Sequence, residues 1–358
     1  IMARKRPTKS PSALLTSPHP LAQVVRHVNG THENMGKPVA MGLVASKAKQ
    51  CMILVSPAGC GKSTICETIQ QVVQPTHTLD SVTRSALREY KDEFNDYRGL
   101  VVVDDLGKID TAYSRLASVV TFCELCYSHY IEKATVQGKV EIRNFHGSSI
   151  LNTQPVILKT IVPTHEWESN IGDKTLRYYH MYRALHPNAT KPELLLQQPL
   201  GLDDVARTIP DCPESEEVLS IALVQWSRSR VAEHATTLLR STAAWAQRTV
   251  PTQDDAAVLA ELMRPMAAER WTIRKEGFED QRYLESDVLC LATEFSTYGH
   301  FGLDNIQLNY KLSESTAYGL MAKYNRYWKL GSKSPTVYIP ADDMLEMLIQ
   351  CGSTERGK

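Results

Sequence analysis

The sequence predicts an α/β domain built on a parallel sheet, then an all-helical segment, then a small winged-helix-like domain. Three observations carry this. Two near-continuous apolar runs, Met52–Val55 and Leu100–Val103, read as strands covered on both faces, and the first leads through a Gly-rich loop into a helix. Between Glu216 and Glu269 only helical patterning is found. Near the C-terminus a helix is followed by a short β-type wing.

Residues 1–20 are rich in Pro, Ser, Lys and Arg and read as a flexible basic arm, either a phosphate contact or a solubilising tail. "LAQVVRHVNGTHENMG" and "PVAMGLVASKAKQ" are expected to be helical. The α/β domain then runs over 21–200. After the first strand and "KSTICETIQQVV" come a strand at "HTLDSV", a charged helical stretch over 85–96 and the strand "GLVVVDD". "YSRLASVVTFCELCYSHYIEKA" reads as one long helix and "TVQGKVEIRNF" as a hairpin around its Gly. "GSSILNTQP" is a further buried strand, and "LRYYHMYRAL" contains a short fifth one. The Pro-rich stretch "QQPLGLDDVARTIPDCPES" marks a boundary before the helical segment, 201–275. A winged-helix-like domain over 280–348 closes the order, with "DVLCLATEF" and "SESTAYGLMAKYNRYWKL" as helices and "GSKSPTVYIP" as the wing.

Composition narrows the function classes. The 358 residues carry 40 Lys plus Arg and 40 Asp plus Glu, so no global field draws the chain to a polyanion and any nucleic-acid contact must be local. No run approaches the ~18 apolar residues of a membrane span. Of eight cysteines, only Cys123 and Cys126 have metal-like spacing, with His129 and His146 as conceivable partners. Lacking a second CxxC, they read better as buried helical thiols. The absence of a signal-peptide pattern and a Cys within the Gly-rich loop lead us to expect a reducing compartment, cytoplasm or nucleus.

The chemistry concentrates in Ser56-Pro-Ala-Gly-Cys-Gly-Lys-Ser-Thr64, a GxxxxGK[ST] pattern with Ser56 in place of the first Gly, set between strand and helix. Gly59 and Gly61 allow the backbone to turn its amides inward, as Cys60 and Thr64 complete the cradle. Lys62 is expected to reach the β- and γ-phosphates of ATP and Ser63 to hold Mg²⁺. Downstream, Asp104 at a strand end is the second Mg²⁺ ligand, and Asp105 the group that orients or deprotonates the attacking water.

These motifs and the blocks after them resemble the AAA+ P-loop ATPase superfamily over roughly 45–270. The likeness implies an AAA+ core with a helical lid, acting in homo-oligomeric rings or spirals. The second acid is usually Glu there, so Asp105 implies slow hydrolysis. The resemblance further implies that Asn152, or Thr153 in its stead, positions the lytic water. It implies that Arg177, with Arg183 behind it, serves a neighbouring subunit's γ-phosphate. The helices around "RSRVAEHATTLLRSTAAWAQR" resemble the lid of MCM-type replicative helicases, which makes Arg230 or Arg240 a γ-phosphate sensor and places Lys139, in the hairpin 135–145, at a pore. The order ATPase, lid, winged helix is similar to that of origin-binding initiators and of branch-migration motors. In the winged-helix-like domain Lys323, Arg326, Lys329 and Lys333 are the candidate DNA contacts, interleaved with aromatic residues. The same module also serves as a protein-docking surface. DNA and replication or recombination proteins are the expected partners, and no membrane. A DNA-handling ATPase leads, beside a slow nucleotide-switched loader and a scaffold that keeps ATP as a folding ligand.

Overall fold

The computed structural model describes residues 12–32, 34–80, 86–135, 138–180, 191–269, 301–310, 313–323, 325 and 327–341. Its centre is a five-stranded sheet of β1 (Cys51–Val55), β2 (Thr76–Leu79), β3 (Leu100–Val103), β6 (Ser148–Thr153) and β7 (Thr175–Tyr179). The spatial order is β2-β3-β6-β1-β7 and every pairing is parallel. β1, β3, β6 and β7 are buried along their whole length, which accounts for the unbroken apolar runs of β1 and β3, while β6 and β7 also bury Ser148, Ser149, Asn152, Thr153, Thr175 and Arg177.

Alternation along the strands divides the interior. Cys51, Ile53, Val55, Val101, Val103 and Leu151 face α6 (Ala112–Ser128), while Met52, Leu54, Val102, Ile150 and Tyr178 face the other side. That second core also takes in α2 (Pro20–Thr31), α3 (Gly36–Lys47), α4 (Lys62–Gln70) and the helical segment, α8 (Pro213–Gln225), α9 (Arg228–Trp245) and α10 (Gln253–Met263). The helical segment therefore shares its core with the sheet and with α3. Trp245 Nε1 donates to Leu43 O at 3.2 Å and Ser241 Oγ to Val44 O at 2.7 Å.

Two expected helices end early. α6 stops at His129, whose φ of 58° places it in the left-handed region that closes helices. Ile131–Thr135 then forms β4, paired antiparallel with β5 (Gly138–Ile142), so the hairpin lies earlier than the expected 135–145 and begins inside the segment read as helix. Burial of Ile131, Val140 and Ile142 against the α6 core outweighs the local helical pattern. Near the C-terminus, β8 (Phe301–Gly302), α11 (Leu303–Tyr310), α12 (Glu314–Lys323), β9 (Trp328–Lys333) and β10 (Thr336–Pro340) form two helices and a three-stranded sheet ordered β8-β10-β9. Lys329 thus belongs to a wing strand and not to the second helix, because Trp328 turns inward as a buried strand residue. The helix expected at "DVLCLATEF" lies outside the described residues. Among the described residues no helix is long and apolar enough to cross a membrane.

Candidate nucleotide site

β1 delivers the chain to the C-terminal edge of the sheet, where residues 56–61 form the turn into α4. Gly59 and Gly61 both have φ of +76°, a conformation that disfavours any other residue by roughly 1–2 kcal/mol. At Gly61 a Cβ would also lie 2.2 Å from Met35 Cε. Gly61 caps α4, so the helix begins at Lys62 with its first amides turned toward the loop.

Lys62 is buried, and its Nζ donates to Ser56 O at 3.0 Å and Pro57 O at 3.2 Å. Burial lowers its ammonium below the usual lysine range, against the opposing pull of Asp105, Cys60 and Asp104. Such a lysine is folded back on its own loop and can exchange two carbonyls for a stronger anionic partner. The loop is propped from beneath by His180, at the end of β7. Its Nε2–H donates to Cys60 O at 3.1 Å, and its main-chain N–H donates to Val55 O at 2.9 Å. Burial holds the His180 imidazole down at about 4, so it is neutral near pH 7. Sequence reading missed His180. Its only signal is its place directly after the fifth buried strand.

Ser63 Oγ, in the first turn of α4, donates to Asp104 Oδ1 at 3.3 Å. Adjacent ligands of an octahedral cation with ~2.0–2.1 Å bonds stand about 2.9 Å apart, so this hydrogen-bonded oxygen pair need close by only a few tenths of an ångström to hold Mg²⁺. Lys108 pairs with the other oxygen of Asp104 and lies 3.9 Å from Asp80, a second contribution the sequence did not flag. Asp105 caps the turn Leu106–Lys108, Oδ1 accepting from Gly107 N at 2.8 Å, and Oδ2 accepts from Gln154 Nε2 at 3.4 Å. Cys60 is buried in the loop, and Thr64 O accepts from Thr68 Oγ1.

Several expected site residues lie elsewhere. Asn152 is fully buried one residue before the end of β6, facing α4, where it exchanges hydrogen bonds with the Cys66 thiol. The side chain that approaches Asp105 is Gln154, past the strand end, where alternation no longer confines it to a packed face. Arg177 is 1% exposed, inside β7, and cannot reach another subunit. It donates to both oxygens of Glu269, at 2.9 and 2.6 Å, and to the carbonyls of Gly172, Thr175 and Gln225.

Arg230 sits 5.2 Å from the Tyr127 ring centre and pairs with Glu233. The next turn of α9 carries His234, which bonds Gln50 and Asp173, the residues that lead into β1 and β7. That is the N-terminal edge of the sheet, away from the Gly-rich loop. Arg240 is spent on the carbonyls of Val205 and Leu202, which fixes the connector before α8. Neither is placed as a γ-phosphate sensor. Arg183 and Arg326 lie outside the described residues, as do the side chains of Lys139 and Lys323. Lys329 and Lys333 are exposed on the wing. Cys123 donates to Asn170 O and Cys126 meets Ser149 Oγ, both buried in α6.

No family model matches the chain, and no curated protein matches it in sequence.

Proposed function

We propose that the chain is an ATP-binding P-loop protein of the AAA+ kind that handles DNA. The observation that carries this reading is the left-handed turn at Gly59 and Gly61 opening onto Lys62 and Ser63, with Asp104 3.3 Å from the Ser63 hydroxyl. In this reading the loop amides and the start of α4 hold the β-phosphate, Lys62 moves from its loop carbonyls to the β/γ oxygens, and Ser63 and Asp104 hold Mg²⁺. Mg²⁺ bound this way keeps waters and phosphate oxygens as its remaining ligands, so a single carboxylate and a hydroxyl suffice. Hydrolysis adds water oxygen to the γ-phosphorus as the bond to the β-phosphate oxygen breaks, with the water's proton leaving toward Asp105. The exposed wing lysines Lys329 and Lys333 support DNA contact.

The second reading, a slowly hydrolysing nucleotide switch, is favoured by Asp105. Both its oxygens are engaged by Gly107 N and Gln154 Nε2, so the base must leave a cap before it can act. ATP binding and turnover by wild type and Lys62→Ala, with and without DNA, test both. Affinity should fall at least about tenfold in the variant, the equivalent of ~1.4 kcal/mol and no more than one lost charge-assisted contact. Turnover raised by DNA supports the motor, and ATP binding with little turnover supports the switch. Binding unaffected by Lys62→Ala overturns the site.

A further inference from the structure

The opposite edge of the sheet carries a concentration of positive charge. A cleft of about 230 Å³ opens there, lined in part by Lys47, Lys49, Arg98 and His146, with Ser46 and Trp245 in its wall. The four basic residues come from separate elements. Lys47 ends α3, Lys49 precedes β1, Arg98 precedes β3 and His146 precedes β6. Because β1, β3 and β6 run parallel, this edge is about 17 Å from the Gly-rich loop, the length of a five-residue strand.

None of the Lys47, Lys49 and Arg98 head groups makes a hydrogen bond or ion pair among the described residues, and no carboxylate lines the cleft. Two polar atoms of lining residues, Ser46 Oγ and His146 Nδ1, are buried with no hydrogen-bond partner. The charges oppose one another. Burial and then Lys49 lower Lys47, and burial, Lys49, His129 and Arg98 lower His146. Asp203 and Asp204 act on Lys47, and Asp96 on His146, from outside the lining. The C-terminal ends of α3 and α4 contribute about −0.5 each, which leaves the three full cations about +2 in excess.

We propose that this cleft is a phosphate-binding site separate from the nucleotide loop. A phosphate monoester of about −1.5 to −2 matches the excess, whereas a carboxylate does not. An arginine fork with lysines suits tetrahedral oxyanions. The cleft is smaller than the ~300–1,000 Å³ of pockets for drug-sized ligands, so it takes a phosphoryl group and not a whole nucleotide. The group belongs either to a free phosphorylated small molecule or to the backbone of a nucleic-acid strand.

Titration of inorganic phosphate into the full chain carrying Lys62→Ala, which disables the loop, tests the proposal by calorimetry. Adding Lys49→Gln and Arg98→Gln should weaken phosphate binding at least about tenfold at unchanged melting temperature. Arg98→Gln alone, at an exposed residue, should weaken it by a smaller factor and guards against a folding defect. The same proteins titrated with a labelled oligothymidylate identify the source. A parallel loss shows a strand backbone, and loss of phosphate alone shows a free small molecule. The proposal is overturned if phosphate does not bind in the Lys62→Ala chain, or if binding there ignores Lys49 and Arg98.

Discussion

His180 shows how one buried side chain ties the nucleotide loop to the sheet. Its imidazole must stay neutral, since Nε2–H donates to Cys60 O in a site closed to water, and burial holds it at about 4 against the ordinary 6.5. A base depressed in the folded state binds its proton more readily when unfolded. The stability it contributes is therefore complete above pH 6.5 and lost as pH falls toward 4. At ~1.36 kcal/mol per unit the whole effect is about 3 kcal/mol, of which about 2 is gone by pH 5. His180→Gln keeps an amide donor that does not titrate. Melting temperatures at pH 7.5 and pH 5 should fall further for wild type than for His180→Gln, and parallel falls would reject this role. His146 and His234 are also lowered by burial, but they titrate alike in both proteins and cancel.

At the scale of elements, residues 12–19 are not part of the flexible arm that the sequence suggested but a strap bound to α10 by polar contacts, with Leu14 and His19 buried. Ser17 Oγ donates to Asp254, Ala13 N to Glu261, and His19 Nε2 lies 3.2 Å from Asp255. Leu21 N donates to His19 Nδ1, so the proton sits on Nε2 and points at Asp255. Asp255 also receives Thr252 and Arg248 and completes the cap of α10. Asp255→Ala leaves the buried His19 Nε2 without its acceptor and removes the cap of α10, and should cost about 2–4 kcal/mol in urea unfolding. Amides over residues 12–19 should exchange faster as the strap loosens. A loss below ~1 kcal/mol would show the strap to be held by Leu14 and Leu21 instead. None of these pairings is legible in the sequence, because His19 and Asp255 are 236 residues apart. β1, β3 and the Gly-rich loop were legible, since unbroken apolar runs and paired glycines are local signals. The ends of α6 and α12 were not, because tertiary burial of Ile131 and Trp328, which local patterning does not carry, decides them.

At the scale of the molecule, Arg177 and Glu269 join the sheet to the end of the helical segment. Sequence order suggested an arginine offered to a neighbour, since the resemblance carries position but not burial. Burial alone would lower the guanidinium, yet the Glu269 carboxylate outweighs it and the guanidinium is raised. Gln225 reinforces the joint by bonding both Arg177 N and Arg177 O. Removing one partner strands the other charge, so Arg177→Met or Glu269→Leu alone should each destabilise by about 3–5 kcal/mol. The double variant should be less destabilised than the sum by several kcal/mol, since apolar replacement of a whole buried pair is often neutral. Denaturant unfolding of the four proteins gives this coupling. A trans-acting arginine behaves otherwise. Arg177→Met would then leave stability nearly unchanged, and mixing it with wild-type chains would depress turnover more than in proportion. Nearly unchanged stability in Arg177→Met with that kinetic signature would return Arg177 to a subunit interface. Strong coupling with proportional mixing makes it the buried tie between β7 and the helical segment.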